Sequence, residues 1–225
     1  MANTETTINA VINPEINETP IDIEKTIKAL ERNKFVVHYF ETGAEAISYL
    51  KGRIQNKRVA IGDSRTLLEI GVHDALSEVN EDVTDIQRPL PGESFRDTAL
   101  RTMGRDVFLT SVNALAQTGE MVNIDGTGNR VAASLFGSQE VFFVLGINKI
   151  TPDLASAIYR ARNVAAPLNS KKNKKSSLNP CAILEEKCYH CGSPDRICNA
   201  LTIYYKKMRN MQTMEVIIIN ESLGF

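Results

Sequence analysis

Apolar and polar positions alternate along this chain in two periods, and the switches between them set out its elements. After Pro20, Ile23, Ile27 and Leu30 fall on one face of a helix in "IDIEKTIKALERN", with Asp22 as its N-cap. "KFVVHYF" is a short apolar run of strand type. "TGAEAISYLKGRI" returns to the helical period: Ile47, Leu50 and Ile54 line up, and Thr42 and Glu45 stand at capping-box spacing. "KRVAIGD" then reads as a second strand, which opens into a helix over "SRTLLEIGVHDALSEVN".

The alternation continues with a strand at "DVTDIQ" and a helix at "GESFRDTALRTMG", where Phe95, Ala99 and Met103 share a face. "DVFLTSVN", "EMVNID", "EVFFVLGI" and "MEVIIINESLGF" are further strands. "TPDLASAIYRARNVA" is a helix, with Thr151 as cap and Pro152 in its first position. Continuous apolar strands separated by helical patterns predict an α/β fold: a mostly parallel sheet covered by helices on both faces. Two stretches fall outside the alternation. Residues 1–19, rich in Asn, Thr and Glu without apolar period, read as a mobile leader. "APLNSKKNKKSSLNP" reads as a polar, basic linker that leads into a cysteine-rich insertion at about 180–199.

Composition adds exclusions. The 225 residues are 43% apolar and 24% charged, and the formal net charge is -1, so no overall field attracts nucleic acid or an anionic membrane. The basic runs "KKNKK" and "YYKKMR" read as solvated surface. No apolar run approaches the roughly 20 residues that span a bilayer, and the first residues lack the features of a secretory signal. The expectation is a cytoplasmic protein that binds neither membrane nor nucleic acid, with a homo-oligomer compatible with everything above.

Three polar loops follow strands and are candidates for a composite site, because ligands of open α/β sheets gather at the carboxyl ends of strands. In "VAIGDSRTLLEIG", Gly62 allows close backbone approach, Ser64 and Thr66 add hydroxyls, and Asp63 and Arg65 add charge; Asp63 or Ser64 as a bare N-cap is an equal reading. In "TGEMVNIDGTGNR", Gly126 and Gly128 with Asn129 and Arg130 form a loop able to cradle an anion, or simply a turn. Glu120 and Asp125 are the candidate catalytic carboxylates. In "GINKITPD", Lys149 suits an anionic ligand. His38 and His73 read as packed histidines. The chain has no H-x-x-x-H pair and no nucleophile elbow.

All four cysteines lie within eighteen residues, Cys181, Cys188, Cys191 and Cys198, spaced C-x6-C-x2-C-x6-C. In a reducing compartment such a cluster points to metal rather than a structural disulfide. A four-thiolate zinc staple, a [4Fe–4S] cluster and a redox dithiol of Cys188 and Cys191 all compete. The dithiol leaves two cysteines unexplained, and zinc sites more often pair two short knuckles, which favours iron–sulfur. Ser193 and Pro194 read as the start of a short helix carrying Cys198.

With these motifs assembled, the chain resembles the LUD-domain family, lactate-utilisation proteins of the LutC/YkgG type. The resemblance rests on "VAIGDSRTL", on "DVFLTSVNALAQTGEMVNIDGTGNRVAASLFGSQEVFFVLGINKI" and on the terminal strand with Leu223-Gly224, and covers residues 20–225 as one LUD domain. The cysteine segment with "SPDRICN" resembles a subgroup found in anaerobic bacteria; the simplest members lack these cysteines. The resemblance implies a Rossmann-like, mostly parallel sheet with helices on both faces, similar to the NagB/RpiA/CoA-transferase-like superfamily, with a smaller strand-rich insertion, and glycine loops that bind anions. It implies a role beside iron–sulfur redox partner proteins in lactate oxidation. The expected function is therefore binding of a small anionic metabolite, with a four-cysteine metal site in electron transfer. The alternatives are an isomerase or CoA-transferase-like enzyme with a structural metal, or a non-catalytic subunit of an oxidoreductase complex.

Overall fold

The computed structural model describes residues 19–174, 176–184 and 187–225. Apart from Thr19, the leader expected at 1–19 lies outside the described residues. Six parallel strands form the main sheet in the order β1-β10-β7-β4-β2-β3: β1 Val36–Phe40, β2 Arg58–Ile61, β3 Asp82–Asp85, β4 Val107–Thr110, β7 Glu140–Gly146 and β10 Thr213–Ile219. A smaller mixed sheet runs β8-β5-β6-β9, from β5 Ala114–Ala116, β6 Met121–Asp125, β8 Ile150–Thr151 and β9 Ala200–Tyr204. This is the expected α/β fold with its strand-rich insertion.

The central strands explain why the run "EVFFVLG" is unbroken by polar residues. Along β7 and β10, Val141, Phe143, Leu145, Val216 and Ile218 enter the core on one face of the sheet. Their alternates Phe142, Val144, Ile217 and Ile219 enter the core on the other. Both faces are dry, so both side-chain sets are apolar. Helix α1, Ile23–Arg32, covers the first face through Ile23, Ile27 and Leu30; its cap is Asp22, which accepts a hydrogen bond from the Lys25 N–H at 2.9 Å. Helix α2, Gly43–Arg53, covers the second through Ala46 and Leu50, and Thr42 and Glu45 form the expected capping box.

Several expected elements differ. The single helix after β2 is two, α3 Arg65–Glu69 and α4 Val72–Ser77, broken at Gly71, whose φ of 73° is left-handed. Helix α5 spans Phe95–Arg101, yet Phe95 is half exposed and the inward face is Thr98, Ala99 and Thr102. Short helix α6, Asn129–Ala132, follows β6 and runs into a π-turn at Ala133–Gly137. The helix after β8 is capped by Asp153 rather than Thr151, since Thr151 is taken up by β8; it runs as α7 Leu154–Arg160, a π-turn Ala161–Ala165 and α8 Ala166–Lys172. The stretch read as linker is thus partly helix. The wide turn restarts the helix just before Pro167, in a first turn where a missing N–H costs little. Short helix α9, Pro180–Leu184, precedes the cysteine loop. Ser193 and Pro194 start a turn, not a helix: Arg196 N–H bonds to Ser193 O at 3.2 Å and the chain then extends.

Polar groups gather at the strand ends. Near the amino ends of β7 and β10, buried Glu140 and Glu215 share Arg53, whose Nη2 lies 2.5 Å from Glu140 and whose Nε donates to Glu215 at 3.0 Å. Tyr49 donates to Glu215 at 2.8 Å, and burial with that carboxylate drives its phenol strongly upward. His38 packs here against Tyr49 and Glu215, and His73 stands beside Asp85. Arg53→Leu would strand two buried carboxylates, although Lys57 still reaches Glu140. A loss of about 3–5 kcal/mol in urea unfolding is expected; a loss within experimental error would show that the network carries no stability.

Candidate functional site

At the opposite, carboxyl edge of the sheet, the chain turns outward in contrary directions after β2 and β4, because β3 lies beyond β2 on one side and β7 beyond β4 on the other. Such a switch point leaves a crevice between neighbouring strand ends. Here a cavity of about 190 Å³ is lined by Asp63, Ser64 and Arg65 after β2, Ser111 and Asn113 after β4, and Lys149 after β7. The small sheet adds Asp125, Gly126, Thr127, Asn129 and Arg130, while Ala165, Ala166, Asn169 and Lys172 close the side. The three strand-end loops singled out in the sequence therefore meet in one place.

Lys149 is the most constrained group in the cavity. Its Nζ donates to Thr66 Oγ1 at 2.9 Å and Ser111 Oγ at 3.0 Å, and the residue is 3% exposed. Burial, helped by the charges of Arg160 and Arg130, lowers its amine to about 7, with Glu69 opposing. Arg160 is itself pinned, donating to the carbonyls of Asn148 and Asn113, and burial lowers it to about 10. The carboxyl-terminal residues cross over this assembly. Thr66 donates to Leu223 O at 3.3 Å, and Gly224 N–H reaches Glu69 at 2.7 Å. Gly224 has φ 62°, and a Cβ there would stand 2.6 Å from Thr66 Oγ1 and 3.2 Å from Lys149 Nζ. Only glycine lets the backbone pass so close to the amine.

The Asp-Gly-Thr-Gly-Asn loop is organised by Asp125. One carboxylate oxygen accepts the N–H groups of Thr127 at 3.1 Å and Gly128 at 2.9 Å; the other accepts Val131 N–H at 3.2 Å. Arg130 Nη2 donates to Ile124 O at 2.7 Å, and its Nε lies 3.7 Å from Asp125. Asp125 thus acts as a clamp on its loop, with its lone pairs largely taken. Glu120 stands before the other end of β6, where it accepts from the Thr118 hydroxyl, and does not line the cavity. Gly62 stays out as well: its N–H bonds to Leu109 O at 2.9 Å and it packs on Phe108, serving the sheet. Thr66 and Gly128 support the lining without joining it. Ser64 caps α3 by accepting Leu67 N–H at 3.3 Å, and Asp63 accepts from Gln87 at 2.8 Å, while Arg65 pairs with Glu69 at 2.7 Å. With only five residues, α3 contributes little dipole. Sequence reasoning missed Ser111, Asn113, Phe95 and Lys172; the polar "SVN" directly after an apolar strand was the available signal.

The cysteine loop is attached to this cavity. Ile197 lines it, and its carbonyl packs against Gly126; Asn199 N–H donates to Asp125 O at 3.1 Å and its side chain to Gly126 O at 2.9 Å. All four thiols are partly buried and free. They are near enough that the charges of Cys191, Cys188 and Cys198 help burial to raise the Cys181 thiol. Sulfur also receives donors: His190 N–H and Arg162 Nη2 each lie 3.4 Å from Cys188 Sγ, and Arg196 Nη2 lies 3.3 Å from Cys198 Sγ. Among the described residues, no group of three or more His, Cys, Asp or Glu side chains is arranged to hold a metal ion. No described helix is long and apolar enough to cross a membrane.

A family profile for the LUD domain matches residues 23–219. The chain belongs to the LUD domain family. Among solved structures it is similar to a DUF162 family protein from Deinococcus radiodurans, at 14% identity and a TM-score of 0.50, over 89% of this chain and 99% of that one. At that identity the likeness concerns the fold. No curated protein sequence matches. In this LUD domain the profile spans both sheets, the cavity loops and the cysteine segment.

The buried amine predicts a pH effect. The unfolded chain holds a proton on Lys149 up to the ordinary lysine value of 10.5, the folded one only up to about 7, so stability rises with pH between the two. Lys149→Met should therefore raise stability more at about pH 6 than at about pH 9, by on the order of 2 kcal/mol in urea unfolding. An equal effect at both would show that the amine is not desolvated.

Proposed function

We propose that this LUD-domain protein binds a small anionic metabolite in the strand-end cavity, and that the adjoining four-cysteine loop carries a metal used in electron transfer. The observation that carries the reading is the convergence of Lys149, Arg130, Ser64, Ser111 and Asn113 on one small cavity that the cysteine loop also walls, through Ile197. Cationic and hydroxyl donors around a volume of about 190 Å³ suit a carboxylate or phosphate on a few carbons. Family membership supports a lactate-utilisation-type role as the setting.

For the metal, the donor types suit a thiolate-bound centre: four cysteines in one loop, with N–H groups directed at the sulfurs of Cys188 and Cys198. Among the described residues these side chains are not gathered into a metal site. A [4Fe–4S] cluster is preferred to zinc on the C-x6-C-x2-C-x6-C spacing, which lacks two short knuckles. Cys181, Cys188, Cys191 and Cys198 would hold it, and it would supply one-electron transfer. The chain's own part is to hold the loop: Asn163 accepts Cys188 N–H at 2.8 Å, and Arg196 donates to the carbonyls of Cys191 and Cys198. A redox partner protein would dock near these thiols, which are partly exposed. The isomerase or CoA-transferase alternative loses support from the position of Glu120, away from the cavity, and from the engaged carboxylate of Asp125.

Two measurements test the reading. Arg130→Ala with Ser64→Ala should weaken binding of short carboxylates or phosphates about tenfold or more by calorimetry; unchanged affinity would remove the cavity from consideration. Protein purified without oxygen should be brown, with about four irons per chain. Stoichiometric zinc would make the loop a structural staple, and absence of metal would end the four-thiolate reading.

A further inference from the structure

We propose that Lys149 is a nucleophile that forms a covalent imine with the carbonyl carbon of a short oxo acid held in the strand-end cavity. The inference rests on the anion-binding reading of that cavity and gives its substrate a chemical class. A neutral amine has two N–H groups and one lone pair. Both N–H groups of Lys149 are placed, on Thr66 Oγ1 at 2.9 Å and Ser111 Oγ at 3.0 Å. Each hydroxyl has an onward acceptor for its own hydrogen: Leu223 O for Thr66 at 3.3 Å, and Thr66 Oγ1 at 3.4 Å or Val112 O at 3.5 Å for Ser111. Both oxygens are thereby free to accept from the amine, whose lone pair is left unengaged.

No carboxylate forms a salt bridge with Lys149 among the described residues. The charged groups acting on it are Arg160 and Arg130, which disfavour the ammonium, and Glu69, which favours it less. Desolvation beside other cations is a recognised way to make a lysine nucleophilic at neutral pH. A lysine placed only to attract an anion would gain from staying charged; this one is buried where charge is penalised. Arg130 and the Ser64 and Asn113 side chains remain to hold a carboxylate next to the amine.

In the step, the Nζ lone pair attacks the carbonyl carbon and the C–N bond forms while the carbonyl π pair moves to oxygen. Protons pass from nitrogen to that oxygen, with the Thr66 and Ser111 hydroxyls within reach as relays. The C–O bond breaks, water leaves, and a protonated imine remains. The balance is amine plus carbonyl plus one proton giving iminium plus water, with no oxidant or reductant.

The test is reductive trapping on the full chain. Wild-type protein and Lys149→Arg are incubated with pyruvate or glyoxylate, then with sodium borohydride, near pH 7.5 where an amine lowered to about 7 is mostly neutral. Mass spectrometry should find one adduct per chain, heavier by the oxo acid less one oxygen, on Lys149 in the wild type and absent from the variant. Propanoate, which lacks the carbonyl, should raise the melting temperature without trapping. A melting shift with pyruvate but no adduct on Lys149, or adducts spread evenly over surface lysines, overturns the imine and leaves the anion site standing. Neither shift nor adduct overturns both. Should Lys149→Arg fail to fold, trace acetic anhydride on the wild type decides: Lys149 should label at least about tenfold faster than exposed lysines and be protected by pyruvate, and slow labelling overturns the proposal.

Discussion

The constraint on which the rest of this structure depends is that β7 and β10 are dry on both faces. Phe142, Phe143, Val144, Ile217 and Ile218 are fully buried, with helices above and below. A parallel sheet sealed in this way has no room for polar chemistry along its length, so charge is displaced to the two edges where the strands end. At the amino edge Arg53, Glu140 and Glu215 bond to one another. The carboxyl edge is different. Its polar groups line a cavity as well as bonding among themselves, and one of them, Lys149, lies where its charged form is disfavoured. One edge is knit by a charged network, and the other opens on the cavity.

Which parts were legible in the sequence follows from the same physics. Strands sealed on both faces must be continuously apolar, so "VFFVLG" and "VIII" announced themselves, as did caps whose side chains act locally, Asp22 and Thr42. The strand-end loops were legible because polar residues and glycine directly after such strands mark the point where the chain leaves the dry core. The elements that were not legible depend on partners distant in sequence. Phe95 fits a helical stripe with Ala99, yet turns to the cavity because Thr98 and Thr102 occupy the inward face. The stretch beginning at Ala166 is polar and contains a proline, but the preceding π-turn lets a helix continue through it. Asp125 and Glu120 were equivalent as carboxylates in sequence. Only the fold separates an acid held by three backbone N–H groups from one at the far end of the same strand.

The cavity and the cysteine loop share their supports, and that bears on how they could act together. The helix after β8 touches both. Its π-turn gives Asn163 to the backbone of Cys188 and Arg162 to the sulfur of Cys188, while the next residues, Ala165 and Ala166, line the cavity. On the other side, Asn199, next to Cys198, is bonded to the backbone of Asp125 and Gly126, the loop that presents Arg130. A π-turn is a rare arrangement that frequently occurs at functional positions. Here it separates a face turned toward sulfur from a face turned toward the ligand space.

This shared scaffold limits what a change at one end can do without the other. If the thiolates gather around a metal, Cys188 pulls on Asn163 and Cys198 pulls on Asn199, so the helix and the Asp-Gly-Thr-Gly-Asn loop are held from two sides. Arg130 sits on that loop, and its charge is one of those that lower the Lys149 amine. Arg130 is thus an electrostatic link between that loop and the amine. Displacing Arg130 changes both the anchor for a ligand's anionic group and the proton affinity of the amine beside it. The cysteine loop packs against Gly126 and Asn163, at the polar edge that lines the cavity.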